Sequence, residues 1–252
     1  MTVLYCLIQS AAPAAPPSGG LPGAERPRML SLSGGLTAIV GTLPDDAYAP
    51  DVVNEKLRDM DWVSKAALGH EQLLEAVMRT ADAVLPMKLL TLFSGDDRLV
   101  KDLAKQRVRL TRAAARVAGC DEYGLRIVAI DAGAEPAQGA SPGRPSSGTA
   151  FLERKKQVRD DAREQAARRA AFAADAFDGL SDVSRGSVAR AVQADDAERP
   201  LLDAAFLVAR DEQVDFGRAA DALAARAAGA HCLFKLTGPW PPYHFVQVDD
   251  AS

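Results

Sequence analysis

At 252 residues the chain is long enough for one large domain or two ordinary ones, and it can bury roughly 70% of the surface it exposes when unfolded. Hydrophobic residues at 48% and charged residues at 25% are those of a globular protein, and no apolar run approaches the ~20 residues that a membrane-spanning helix needs. A net charge of -4 lacks the basic excess that phosphate neutralisation demands, which argues against nucleic acid as the main partner. Cys6, Cys120 and Cys232 are widely spaced and set among apolar neighbours, a pattern of neither a disulfide framework nor a metal site, and one that fits a reducing cytoplasm.

The opening MTVLYCLIQS has no basic flank and runs straight into a Pro/Ala/Gly segment, so it reads as a first strand and not as an export signal. A flexible loop over 11–28 follows, and strand pattern resumes in LSLSGGLTAIVGTL, where Gly34-Gly35 can make a tight turn. From Asp51 to Ala83 the pattern is helical, with a break near Asp61 as the cap of a helix opened by Trp62. On that helix Trp62, Ala66, His70, Leu73, Val77 and Ala81 share one face. Leu85 to Phe93 reads as a strand and Ser94 as the cap of a helix striped by Leu99, Leu103, Leu110, Ala114 and Val117. Gly119 stops that helix, and Tyr123 to Ile130 returns as a strand.

The segment AGAEPAQGASPGRPSSG cannot bury enough apolar surface to offset its ordering entropy and marks a domain boundary. The organisation expected is an N-terminal α+β domain over 1–131, a linker over 132–148 and a C-terminal α+β domain over 149–252. A long helix from Thr149 to about Leu180 opens the second half, with Phe151, Val158, Ala162, Ala166, Ala173 and Phe177 on one side. Its basic residues, among them Arg154, Lys155, Lys156 and Arg159, interleave with Glu153, Asp160, Asp161 and Glu164, the composition of a solvated mixed-charge face. Leu202 to Ala209 as strand, Asp215 to Ala228 as helix and Ala230 to Thr237 as strand echo the β-α-β order of the first half.

No coherent catalytic constellation emerges. The three histidines, at 70, 231 and 244, lack metal-type partners. His70 beside Glu71 makes a general base only if a pocket lies there, and His231 and Cys232 are adjacent on a strand and point apart. SGG is followed by a strand and not by the helix that a phosphate loop requires, while Asp96 and Asp97 already occupy the positive end of their helix. Asp45, Asp46 and Asp51, and the pair Asp195 and Asp196, lack the remaining positions of a calcium loop and read as surface turns. The reading is of a non-enzyme with no cofactor and no metal.

The most unusual segment is LTGPWPPYHFV, Leu236 to Val246. Its prolines fix φ and remove backbone donors, so it makes a rigid turn that presents Trp240, Pro241, Pro242, Tyr243 and Phe245 either as a domain-closing plug or as an exposed binding anchor. Trp62 and His70 are the further candidates for partner binding.

LTGPWPPYHFV resembles the closing motif of gas-vesicle F/L proteins, in which a strand runs into GPWPPY and an aromatic. LLDAAFLVARDEQVDF (201–216) and GTAFLERKKQ (148–157) are similar to that family's apolar strand and to the start of its long helix. In the first half the similarity covers the strand with Tyr5, GLTAIVG, the Trp62 and His70 helix and the strand after Leu85-Pro86. Two departures stand out: Lys88-Leu89-Leu90-Thr91 replaces the family's Arg-Phe-Gly-Thr, and the loop after strand one is unusually long. The resemblance implies two α+β domains, at least one of them ferredoxin-like, and no enzyme activity. It implies an assembly or minor structural role in or beside the gas vesicle, through contacts with the small hydrophobic shell subunit and other accessory proteins. The alternatives are a chaperone-like adaptor that stays in the cytoplasm and, remotely, a small-molecule enzyme using His70 or His244.

Overall fold

The computed structural model describes residues 1–10, 19–130, 148–192 and 200–246. The start of the loop expected over 11–28, the linker expected over 132–148 as far as 147, and Asp195 with Asp196 lie outside the described residues. Two compact units form, Met1–Glu122 with the segment from Pro239 onward, and Tyr123–Gly238. The chain thus returns to its first unit after Gly238, a grouping that differs from the boundaries drawn on the sequence.

The first unit runs β1 (Thr2–Gln9), β2 (Arg28–Ser31), β3 (Thr37–Thr42), α1 (Pro50–Lys56), α2 (Met60–Met78), β4 (Ala83–Pro86), β5 (Leu92–Phe93), α3 (Asp96–Lys105) and α4 (Arg107–Val117). Its sheet has the order β2-β3-β1-β4, and β5 pairs the start of β1. Gly34 and Gly35 both take left-handed φ, +85° and +75°, and close the β2–β3 hairpin as the sequence suggests. The register of β1 against β3 slips between Leu4 and Cys6, so Tyr5 is the extra residue of a bulge. That slip switches faces: Val3 and Tyr5 before it, Cys6 and Ile8 after it, all join Leu73, Leu74 and Val77 of α2 in one core.

Four local expectations are corrected. Asp59, not Asp61, caps α2; its extended backbone lets the carboxylate accept from the N–H groups of Asp61 (3.0 Å) and Trp62 (3.3 Å). The strand expected over 85–93 splits into β4 and β5, because Leu90 turns left-handed at φ +64°. The single helix expected after Ser94 breaks at Gln106 into α3 and α4, and Gly95, not Ser94, holds its N-cap without a side-chain bond. Asp96 instead accepts from Thr2 Oγ1 (2.8 Å) and Arg28 (2.7 Å), tying α3 to two strands. The Arg28 guanidinium holds the Asp96 carboxyl below its usual range.

The second unit continues β6 (Cys120–Ala129), whose first residues belong to the first unit, with α5 (Gly148–Ser181), β7 (Gly186–Ala189), β8 (Leu202–Ala209), α6 (Gln213–Ala227) and β9 (Cys232–Trp240). A short 3-10 turn at Ala228–Ala230 precedes β9. The sheet order β7-β8-β6-β9 with a βαββαβ succession is the ferredoxin-like arrangement. Ala204, Phe206 and Val208 of β8 pack with Phe172, Ala176 and Leu180 of α5 and Phe216 and Leu223 of α6. The first unit has the same strand order with its first crossover made by a loop in place of a helix. Gly20 of that loop donates to Gly69 O of α2 at 3.2 Å, and Leu21 is buried in the core.

The stripe expected to bury α5 along its length does so only near its end. Ala173 is buried and Phe177 packs on the core, but Phe151, Val158, Ala162 and Ala166 are exposed. Every described residue from 151 to 164 is exposed, and Gln165 and Arg169 are half-buried.

Candidate functional site

The closing motif is folded into the first unit. Past Trp240, Pro241 and Pro242 are buried and Pro241 O accepts from Tyr243 N–H (2.7 Å), which turns the chain so that Tyr243 joins the core beside α2. The Tyr243 hydroxyl donates to Glu71 Oε1 at 2.8 Å. Burial first, and then the Glu71 carboxylate, push that phenol well above its usual range and keep it a donor. His244 is held at two points by Glu122: its backbone N–H donates to Oε2 (2.8 Å), and its ring Nδ1 lies 2.6 Å from Oε1. Phe245 is 3% exposed, with the Arg116 guanidinium 5.7 Å from its ring centroid. Trp240 differs from the other rings at 39% exposure. Tyr243 and Phe245 therefore pack into the unit, while the Trp240 ring is exposed.

His70 stands one residue before the glutamate that receives Tyr243. It is 2% exposed, its Nε2 lies 3.2 Å from Met87 O, and its ring is 5.8 Å from that of Tyr5. Burial lowers its pKa against the smaller, raising influences of Glu71 and the Met87 carbonyl. Its Nδ1 has no partner among the described residues. Tyr5, re-aimed by the bulge, sits in a slot of backbone: a Cβ on Gly20 would lie 2.4 Å from its hydroxyl and one on Gly41 2.9 Å. The hydroxyl accepts from Leu21 N–H at 3.0 Å. The contact of this loop with α2 is tighter still, since a Cβ on Gly69 would stand 2.2 Å from Gly20 O.

Trp62 belongs to a separate cluster at the start of α2. Its ring is 6.3 Å from that of Tyr48, and Lys56 Nζ sits 4.7 Å from the Tyr48 centroid and 5.5 Å from that of Trp62. Lys56 also donates to Ala47 O (2.6 Å), and the Tyr48 hydroxyl to Pro22 O (2.6 Å). Burial raises the Tyr48 phenol to about 12. The structure thus brings the His70 turn and the closing motif together and leaves Trp62 two helical turns away. Glu71, Glu122 and Arg116, which hold the motif, were not singled out as its partners by sequence reasoning, and nothing in their spacing marks them.

No group of three or more His, Cys, Asp or Glu arranged to hold a metal ion occurs among the described residues, and none of their helices is long and apolar enough to cross a membrane. Asp45 pairs with the Met1 amine, Asp46 accepts from Ala47 N–H, and Asp51 lies in the first turn of α1. His231 takes a left-handed backbone, φ +52°, immediately before β9, while Cys232 opens the strand and is buried.

Two ferredoxin-ordered α+β units, the first closed by a proline-locked aromatic motif, define the class: the sequence profile described as Gas vesicle synthesis protein GvpL/GvpF matches residues 1–247, and the chain belongs to that family of gas-vesicle accessory proteins. It is 30% identical over 245 residues to gas vesicle protein L of a Streptomyces species, covering 91% of this chain and 86% of the relative. To gas vesicle protein L2 of Halobacterium salinarum it is 27% identical over 207 residues, 75% of this chain and 73% of the relative. The fold is that of crystal structures of GvpF from an Anabaena species (TM-score 0.71, 15% identity, 100% of this chain and 98% of that one) and from Microcystis aeruginosa (0.67, 14%, 98% and 99%).

Proposed function

We propose that the chain works in gas-vesicle assembly as an accessory or minor structural protein that grips the small hydrophobic shell subunit and other accessory proteins, without catalysing a reaction. The observation that carries this reading is the division of labour in the closing motif. Tyr243, His244 and Phe245 are fastened to the first unit, and Trp240 is left 39% exposed on a diproline that cannot move freely. A large ring held rigidly at the surface loses little entropy on binding and suits a contact anchor. Glu71 supports the same reading, since the carboxylate that a catalytic His70 would need is engaged by Tyr243.

The test uses a vesicle-forming host that carries this gene. Replacing the gene with a Trp240→Ala version is expected to reduce or malform vesicles while the purified variant melts as the wild type does. Normal vesicles after clean deletion would overturn the reading. Washed vesicles that retain the protein match a structural role, and confinement to the soluble fraction matches the chaperone-like adaptor in its place.

A further inference from the structure

Every described residue of α5 from 151 to 164 is exposed, a rod of roughly 20 Å at 1.5 Å per residue. The apolar stripe does not stop where the packing stops. Phe172, Ala176 and Leu180 are buried, and past Arg169, whose guanidinium donates to Ile130 O, the same line continues toward the helix start through Ala162, Val158 (64% exposed) and Phe151 (53% exposed). An exposed continuation of a core stripe marks a contact face.

The charges around this stripe are sorted. At 3.6 residues per turn Lys155 stands in the line of the stripe between Phe151 and Val158, Arg154 and Arg159 flank it, and one acid, Asp161, which already accepts from Gln157 Nε2 at 2.8 Å, lies on the Arg154 side. Glu153, Asp160 and Glu164 fall on the far side of the helix, with Lys156 and Arg163 at its edge. A positive rim around an apolar stripe, on a chain whose net charge is -4, selects its complement.

We propose that the exposed half of α5 docks an amphipathic helix of another protein, one whose apolar edge is flanked by glutamate or aspartate. Ala162 and Ala166 let a partner axis approach toward the lower end of the usual ~8–10 Å spacing, and Phe151 and Val158 supply the knobs. A second copy fits less well. Side by side and parallel, two copies set Arg154 against Arg159; antiparallel, one flank pairs Arg154 with Asp161, but the other sets Lys155 against Arg159. An anionic lipid surface meets the positive rim but gains little from an alanine-rich stripe with few large side chains to insert. The proposal stands whether or not the closing motif contacts the shell subunit.

The experiment uses the full chain and a labelled, designed helical peptide of about 21 residues, with a Leu/Ala stripe flanked by glutamates, read by fluorescence anisotropy; its roughly six turns cover the roughly four of the exposed stretch with about one to spare at each end. The same stripe flanked by lysines is the counter-probe. The glutamate-flanked peptide should bind about tenfold or more tighter than the lysine-flanked one. Val158→Glu should abolish binding, and Arg154→Glu, Lys155→Glu and Arg159→Glu together should reverse the preference, all with an unchanged melt because these side chains are exposed. Equal affinity for the two peptides, or a preference that charge reversal leaves intact, would overturn the proposal. So would binding only to phosphatidylserine vesicles, or only self-association in sedimentation.

Discussion

Trp240 and Phe245 occupy one short motif, and their exposures, 39% and 3%, set opposite expectations. Phe245→Ala removes a buried ring and should cost about 3–5 kcal/mol. Trp240→Ala should cost less than about 1 kcal/mol. Tyr243→Phe deletes one hydrogen bond to a charged group, worth about 1.5–3 kcal/mol, and leaves the ring packing in place. Urea unfolding followed by tryptophan emission reads these directly, because both tryptophans of the chain lie in the first unit. Equal losses at Trp240 and Phe245 would contradict the division of labour. His70 supplies a pH dependence. Burial holds its folded pKa below the ordinary 6.5, so the unfolded chain takes up the proton first. The contribution of the neutral, buried His70 is therefore fully present above about pH 6.5 and is lost as the pH falls from there through the folded pKa. His70→Gln should flatten the change in urea midpoint between about pH 7.5 and 5.5; an unaltered change would show that other groups carry it.

Among the elements, the crossing of the first loop with α2 is set by two glycines. Gly69→Ala places a methyl 2.2 Å from Gly20 O, a backbone atom with no rotamer to escape through, and should cost about 1–3 kcal/mol. Loss of hydrogen-exchange protection at Gly20 and Leu21 would report the displaced loop, and a wild-type melt with protected amides would refute the clash. Periodicity in the sequence made α2, α6, β1, β3 and β8 legible, because each buries a single helix face or a whole strand. It failed where one side chain or dihedral decides. Leu90 in a left-handed turn divides the run 85–93, where Pro86, the last residue of β4, was the available signal; Gln106 divides the run 96–117, which carries no glycine or proline to announce the break. The stripe on α5 is real as a pattern, but a pattern does not say how much of its length its own domain covers.

For the whole molecule, the faint β-α-β echo read between the halves is a shared strand order in two sheets. The closing motif was legible as rigid and aromatic from its prolines. Its attachment to the first unit was not, since Glu71 and Glu122 are distant in sequence and signal nothing by spacing. Stopping the chain after Gly238 should therefore lower the stability of the first unit, seen as an earlier shift in Trp62 emission, and leave amide protection on β8 and α6 near wild type. An unshifted Trp62 transition would show the strap to be dispensable. The same feature orders events at the ribosome. The pieces of the first unit leave the exit tunnel separated by the whole of the second, a gap of roughly ten seconds at typical elongation rates. Throughout that wait the slot for Tyr243 and Phe245 stands open in a half-made product, an apolar vacancy that a chaperone or a neighbouring nascent chain meets before the molecule can fill it itself.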